Sequence, residues 1–147
     1  MSNVAENRRA TFEYELLEKF QAGIVLTGDE IKSVRAGHLS LADCYGFIKN
    51  GECFLRNSYI KEYSNAYKTS NTEDKTRRDR KLLLHKIEIA KMAKRIETEN
   101  LTLVPTRAYF EKSNLKVEIC IARGKKLFDK REDKKKKDLE RQLRRSI

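Results

Sequence analysis

Lysine and arginine side chains are concentrated in two blocks of this sequence, and the chemistry open to such blocks is the binding of polyanions. Residues 68–95 carry 10 basic and 4 acidic side chains, and residues 123–147 carry 12 and 5. Over all 147 residues, 33 Lys and Arg stand against 22 Asp and Glu, which gives a net charge of +11. An excess of this size predicts a nucleic acid as the partner.

The first block contains the string KTRRDRKLLLHK at residues 75–86. Its cations run directly into three consecutive leucines, and apolar residues of this kind anchor neighbouring side chains to a folded surface. We therefore expect Arg78, Arg80 and Lys81 to lie on the surface and to contact phosphate groups.

The second block extends to the last residue of the sequence without a proline. Leu139, Leu143 and Ile147 recur every four residues, which is a narrow helical stripe. The stripe is too thin to hold a helix alone, and the four lysines at 134–137 repel one another. The pattern predicts a basic tail over residues 123–147 that is disordered when free and helical when it lies against phosphates.

The sequence lacks the constellations that common enzymes use. No GxSxG, HExxH or GxGxxG string occurs, and Gly124-Lys125 is followed by Lys126 rather than by the Ser or Thr of a phosphate loop. The only histidines, His38 and His85, lie where helix ends are expected. We predict no catalytic residues and no cofactor.

The cysteines and the apolar runs exclude further classes of protein. Cys44, Cys53 and Cys120 form no CxxC pair, so we expect three buried thiols rather than a disulfide framework or a metal site. No apolar run reaches the length of a signal peptide or a membrane span, which predicts a cytoplasmic protein that does not contact a membrane.

The pattern of apolar residues in the first part of the chain predicts one bent strand, or two short strands, before the first helix. Phe12, Tyr14 and Leu16 alternate with polar residues, and Gly23 interrupts the pattern before Ile24 resumes it.

Two helices are predicted from their end signals and periodicity. Thr27 and Glu30 fit a capping box and Gly37 fits a C-terminal cap, which places one helix over about 29–36. A second helix over about 86–98 carries an apolar face of Ile, Met and Ala residues.

Two hairpins and an isolated strand complete the pattern. Residues 44–63 predict a hairpin whose turn is Asn50-Gly51, and residues 81–84 predict a strand. A last hairpin turns around residues 112–114, and Pro105 confines its first strand to a sheet edge or a bulge.

The fold class predicted from these elements is mainly β with flanking helices. About six strands over residues 1–122 indicate an OB-type six-stranded barrel, while a half-open sheet with helices on one face stays an alternative.

Five strings of the sequence together resemble a known family. In order they are NRRATFEYE, AGIVLTGDEIKSVRAG, RKLLLH, LVPTRAYF and ARGKKLFDKRED. In order and spacing they resemble the bacterial SsrA-binding protein family, also called small protein B, from Asn7 to about Asp133. The resemblance implies an OB-type RNA-binding protein that is not an enzyme. It would bind the tRNA-like domain of transfer-messenger RNA and deliver this RNA to stalled ribosomes for trans-translation.

The resemblance and the charge pattern together give the expected site residues. The expected RNA-binding residues are Asn7, Arg8, Arg9, Gln21, Arg78, Arg80, Lys81 and Leu83. The expected tail residues, implied to occupy the ribosomal decoding centre and the empty mRNA channel, are Lys125, Lys126, Phe128, Asp129, Lys130 and Arg131. Gln21 replaces a usual Glu of the family and Phe128 replaces a His or Tyr. For Leu83, an ordinary core position is the alternative.

The implied partners are transfer-messenger RNA and the ribosome, through small-subunit ribosomal RNA, with the protein monomeric when bound. The alternative function is that of a generic OB-fold ribosomal RNA-binding protein or an initiation-type translation factor. An RNA-modifying enzyme is disfavoured because the catalytic constellation is missing.

Overall fold

The computed structural model of the protein describes residues 3–62 and 75–125. Within these ranges, nine strands, three α-helices and one 3-10 turn follow one another. The strands are β1 (Asn3–Glu6), β2 (Tyr14–Ile24), β3 (Leu39–Ser40), β4 (Tyr45–Lys49), β5 (Glu52–Arg56), β6 (Tyr59–Ile60), β7 (Arg80–Leu83), β8 (Thr102–Glu111) and β9 (Asn114–Gly124). The helices are α1 (Arg8–Glu13), α2 (Gly28–Arg35) and α3 (Lys86–Glu99), and the 3-10 turn is Lys75–Arg77. The predicted class, mainly β with flanking helices, is confirmed.

Six of the strands close into a ring. They pair side by side in the order β8, β4, β5, β7, β2 and β9, and β9 pairs back with β8. The closure between β4 and β8 rests on one pair of residues, Gly46 and Leu103. β1 adds to β8 outside the ring, and β3 pairs with β6 as a separate short sheet. Of the two predicted arrangements, a closed sheet and a half-open sheet, the closed one is observed.

The interior of the ring is filled by aliphatic side chains. The fully buried members with the largest volumes include Leu55, Leu82, Leu103, Ile119 and Ile121. The side chains of α3 that belong to the same cluster confirm the predicted apolar face of that helix. Because the interior is packed, a partner can be bound only on the outer surface.

Gly46 lies in β4 opposite Leu103 of β8 and against the core. A Cβ atom at this position would lie 2.8 Å from Cδ1 of Ile119 and 2.9 Å from Cβ of Leu103. Both distances are shorter than van der Waals contact, so only glycine fits here without moving the core.

α1 corrects the predicted start of the fold. Phe12 was expected in a strand but lies in α1, and β2 then runs through Gly23 without a break. The helix forms because Ala10 packs against Val104 and Cys120 in a second buried cluster on the outside of the ring. This packing joins distant parts of the chain, so it overrides the local alternation.

The predicted helix ends are confirmed. The Thr27 side chain accepts a hydrogen bond from the Glu30 amide at 3.2 Å, and the Glu30 carboxylate accepts one from the Thr27 amide at 2.9 Å. Gly37 follows α2 with a φ of 88°. At α3, His85 is the N-terminal cap, and its amide donates to the Glu88 carboxylate at 3.0 Å.

The predicted hairpin turns are confirmed as well. Asn50 and Gly51 have φ values of 52° and 74°, the left-handed pair that a type I′ turn requires. The second strand of this hairpin ends at Arg56 rather than near residue 63. In the last hairpin, the register between β8 and β9 shifts between Pro105 and Arg107, so the proline lies at a bulge.

The three cysteines are buried and free, as predicted. Burial raises the pKa of Cys44 to about 12 and that of Cys53 to about 11, and burial also raises the pKa of Cys120. Thiolate, the reactive form, is therefore suppressed at all three positions near neutral pH.

Candidate nucleic-acid interface

Three of the expected RNA-binding residues lie on the outer face of β2 and β7, with Leu83 between Gln21 and Lys81. Gly23 of β2 is paired directly with Leu83 of β7. Side chains two residues apart in a strand point to the same side, so Gln21 and Lys81 share the outer face with Leu83. All three side chains are exposed.

Leu83 is 53% exposed and contacts the outer side of Gly23. The core alternative for this residue is therefore wrong. Leu82 is 1% exposed and belongs to the core, so the leucine run alternates between the two sides of β7. The period of two in a strand carries this information, and it assigns Leu83 and Lys81 together to the outside.

Arg80 corrects the sequence prediction, because its side chain is 0% exposed rather than on the surface. It lies on the same side of β7 as Leu82, and its guanidinium donates to the Glu30 carboxylate at 2.6 and 2.9 Å. It also donates to the carbonyl and hydroxyl oxygens of Ser58 at 2.6 and 2.8 Å. A group enclosed in this way cannot reach an RNA phosphate.

The same guanidinium holds the end of the segment that leads into β7. It donates to the carbonyl oxygens of Lys75 and Thr76, each at 3.2 Å. Arg80 therefore joins α2, the residue before β6 and the 3-10 turn. This is a positioning role for the strand that carries Lys81 and Leu83.

Arg78 shares the Glu30 carboxylate with Arg80. Its guanidinium lies 2.5 Å from one carboxylate oxygen and 3.2 Å from the other, and its side chain is 32% exposed. Burial acts to raise the pKa of Glu30, but the hydrogen bonds from Arg78, the Thr27 amide and Arg80 together hold it below its usual value. Glu30 thus stays ionised and offsets part of the Arg78 charge.

Lys81 is the cation of this strand that remains accessible. Its ammonium lies 3.3 Å from the Glu52 carboxylate, and the two side chains are 44% and 50% exposed. Exposed ion pairs contribute about 0–1 kcal/mol, so Lys81 can exchange this partner for a phosphate at small cost.

Gln21 takes part in a polar network on the outer face of β2, β9 and β8. Its amide oxygen accepts a hydrogen bond from the Tyr109 hydroxyl. The Arg107 guanidinium lies 4.4 Å from the centre of the Tyr109 ring and donates to Glu118 at 2.5 Å. The bond uses one of the two acceptor sites of the Gln21 oxygen, and the amide NH₂ group can donate to an RNA acceptor.

Asn7, Arg8 and Arg9 lie at a second place, at the junction of β1 and α1. The Asn7 side chain is half-buried and donates to the carbonyl oxygen of Pro105 at 3.0 Å. The side chains of Arg8 and Arg9 are 92% and 71% exposed, and each forms a long ion pair of 3.9 Å. Asn7 is bonded to β8, and the network of Gln21 also reaches β8 through the Tyr109 hydroxyl. Arg107 of this network donates to Asn3 at 3.1 Å, so the network extends to β1, the strand that precedes Asn7.

A cavity of about 290 Å³ lies next to Asn7, a feature that the sequence analysis missed. Its lining includes Asn7, Arg9, Tyr14, Asp43, Tyr45 and Thr102. The cavity forms between α1, β4 and β8, and it could not be predicted without α1.

The tail residues fall largely outside the structure described. Lys126, Phe128, Asp129, Lys130 and Arg131 lie outside the described residues. Lys125 is the last described residue, and its backbone amide donates to the carbonyl of Glu13 at 2.9 Å. β9 itself runs to Gly124, beyond residue 122, where the sequence placed the end of the folded part.

Residues 3–62 and 75–125 contain neither a candidate metal centre nor a helix that could span a membrane. No group of His, Cys, Asp and Glu side chains in these ranges could hold a metal ion. None of the helices described there combines the length and apolar character that crossing a bilayer requires.

The ring of strands and its cationic outer groups define a small, basic, mainly β protein whose interior is filled. Comparison with known proteins then gives the family. The model of the family described as SmpB protein matches residues 4–147, and the chain belongs to this family. The resemblance stated from the five strings is thereby confirmed.

The relatives of the chain match it over almost its whole length. The SsrA-binding protein of Oleidesulfovibrio alaskensis is 48% identical over 144 residues, which cover 98% of this chain and 91% of the relative. The SsrA-binding protein of Trichodesmium erythraeum is 45% identical with the same coverage. A solved structure described as "tmRNA-SmpB: a journey to the center of the bacterial ribosome" has a TM-score of 0.64 and 44% identity, covering 83% of this chain and 84% of its own.

Proposed function

We propose that this chain binds the tRNA-like domain of transfer-messenger RNA and delivers this RNA to stalled ribosomes in trans-translation. It acts in the cytoplasm as an RNA-binding adaptor and catalyses no reaction itself. The observation that carries the proposal is the family membership over residues 4–147, with relatives called SsrA-binding protein at 45–48% identity. The structural neighbour described as tmRNA-SmpB on the bacterial ribosome supports the same partners.

The outer face of β2 and β7 is the part of the fold that we assign to the RNA. It offers an accessible cation in Lys81, an amide in Gln21 and an apolar surface in Leu83. A phosphate contact, a hydrogen bond and an apolar contact are three ways in which such a surface can bind RNA. Arg8 and Arg9 provide a second cationic group near Asn7.

The tail has a separate task in this proposal. We assign Lys125, Lys126, Phe128, Asp129, Lys130 and Arg131 to the decoding centre and the empty mRNA channel. The support is the basic composition of residues 123–147 together with the family match, which extends to residue 147. A basic segment with a thin apolar stripe can order itself against RNA phosphates.

The RNA that copurifies with the tagged full-length chain tests the proposal. The expected result is one enriched structured RNA with a tRNA-like end, recovered together with ribosomes. A preparation that contains only bulk ribosomal RNA would contradict it and would favour the alternative of a general ribosomal RNA-binding protein. The matched control is the Lys81→Glu variant, which should recover less of the enriched RNA.

A further inference from the structure

The outer face of the β4–β5 hairpin carries an aromatic pair. Phe47 and Phe54 lie directly opposite each other in the register of the two strands. Their rings are stacked, with centroids 5.4 Å apart and planes inclined by 23°. Both residues are half-buried, so part of the pair faces solvent.

An arginine extends this pair outward. The guanidinium carbon of Arg56 lies 4.1 Å from the centre of the Phe47 ring. Asp79 fixes the group, since the Nε and Nη2 atoms of Arg56 each donate to a carboxylate oxygen at 3.1 Å. These hydrogen bonds lower the pKa of Asp79 below its usual value. The arginine side chain is nevertheless 46% exposed.

The hydrogen bonds to Asp79 restrict the kinds of ligand that Arg56 can bind. A carboxylate already occupies the edge of the guanidinium that would bind a phosphate or an acidic side chain in two-point fashion. Tyr45 lies opposite Arg56 in the register and also interacts with its guanidinium, so the exposed part that Phe47, Asp79 and Tyr45 leave uncovered is the surface Arg56 still offers. Planar guanidinium and aromatic groups are the surfaces on which unpaired nucleobases stack.

The surroundings of the pair suit an RNA. Phe54 is the register partner of Lys81, so the hairpin continues the outer face of β7. Lys49 lies two residues beyond Phe47 on the same side of β4 and is exposed. The acidic side chains nearby, Glu52 and Asp79, are each paired with a cation.

We propose that Phe54, Phe47 and Arg56 form a stacking column that binds one unpaired base of the transfer-messenger RNA held by β2 and β7. This inference rests on the proposed function, because it assigns a second contact to the same RNA. The column supplies stacking, and Lys49 and Lys81 supply cations for the adjoining phosphates.

The test compares the affinity of purified full-length variants for transfer-messenger RNA. Arg56→Lys keeps the charge but removes the plane, and Phe47→Leu keeps an apolar side chain but removes the ring beneath it. Each is expected to bind at least about fivefold more weakly than the unchanged chain, since a stacked base contributes about 1–3 kcal/mol. Arg95→Lys on α3 is the matched control and should bind normally.

The outcomes separate the possible occupants. Normal RNA binding by Arg56→Lys would overturn the proposed stacking, because it would show that only the positive charge at position 56 is needed. Normal RNA binding with weaker ribosome association would also overturn it and would assign the face to a ribosomal partner. If thermal unfolding shows that Phe47→Leu does not fold, the RNA affinity of Arg56→Lys alone decides the test. Failure of the unchanged chain to bind the RNA would instead contradict the proposed function.

Discussion

Replacing Glu30 with glutamine should destabilise the fold strongly. Gln has the size of Glu, but the change removes the negative charge and replaces one of the two accepting oxygens with an NH₂ group, which cannot accept from Arg78, Arg80 or the Thr27 amide. Arg80, whose side chain is 0% exposed, then keeps a buried charge without a counterion, while the Glu30 side chain itself is 13% exposed. Removing one partner of a buried ion pair costs about 3–5 kcal/mol. That is a large part of the roughly 5–15 kcal/mol that stabilises a domain of this size.

Urea denaturation of the full chain measures the effect. With a slope of about 1–3 kcal/mol per molar urea, the loss should lower the midpoint by about 1–5 M. The matched control is Glu52→Gln, which removes a carboxylate from an ion pair with side chains 44% and 50% exposed, and should cost at most about 1 kcal/mol. Equal losses in Glu30→Gln and Glu52→Gln would refute the reasoning.

The same variant should show a characteristic dependence on pH. The pKa of Glu30 is lowered in the folded protein, whereas the unfolded chain has the ordinary value of about 4.3. The stabilisation by Glu30 is therefore present above about pH 4.3 and is lost as the pH falls through the lower, folded pKa. The stability difference between the unchanged chain and Glu30→Gln should shrink in acid. A difference that grows below pH 4 would contradict the sign.

Three further predictions concern the core, the thiols and the RNA face. Gly46→Ala should destabilise the protein by about 1–3 kcal/mol in urea denaturation, since the new Cβ would lie within 3 Å of Ile119 and Leu103. Gly28→Ala is the control and should not destabilise it, because the space around Gly28 is open, and equal urea midpoints for the two variants would contradict the packing. The three buried thiols should react with a disulfide reagent at pH 8 only after unfolding, so a fast reaction in the native protein would count against their burial. Lys81→Glu should weaken RNA binding and flatten its dependence on salt by about one unit of slope, and an unchanged slope would place the phosphates elsewhere.

The parts of the fold that were predicted correctly are those with local causes. The Asn50-Gly51 turn and the capping box of Thr27 and Glu30 depend on residues within a few positions of one another. α1 depends instead on contacts between Ala10 and residues more than 90 positions away, such as Val104. No local pattern contains that information.

The site was predictable to a similar extent. The strand was predicted over residues 81–84, whereas β7 begins at Arg80. With the observed start, alternation along the strand shows that Arg80 and Leu82 point inward while Lys81 and Leu83 point outward. What the alternation could not show is that Glu30, 50 positions away, makes a buried arginine tolerable. The column of Phe47, Phe54 and Arg56 likewise depends on distant parts of the chain. It requires the register of the β4–β5 hairpin and a hydrogen bond to Asp79, which directly precedes β7.

Peptide tagging on a stalled ribosome tests the central claim most directly. Ribosomes halted at the end of a truncated message are supplied with charged transfer-messenger RNA, and the tag is measured with the full-length chain, with a chain ending at Lys125, and without protein. We expect tagging with the full-length chain only, while the shortened chain still binds the RNA within about tenfold, or roughly 1.4 kcal/mol. Equal tagging with and without the full-length chain would contradict the proposed function, and normal tagging by the shortened chain would contradict the role of the tail.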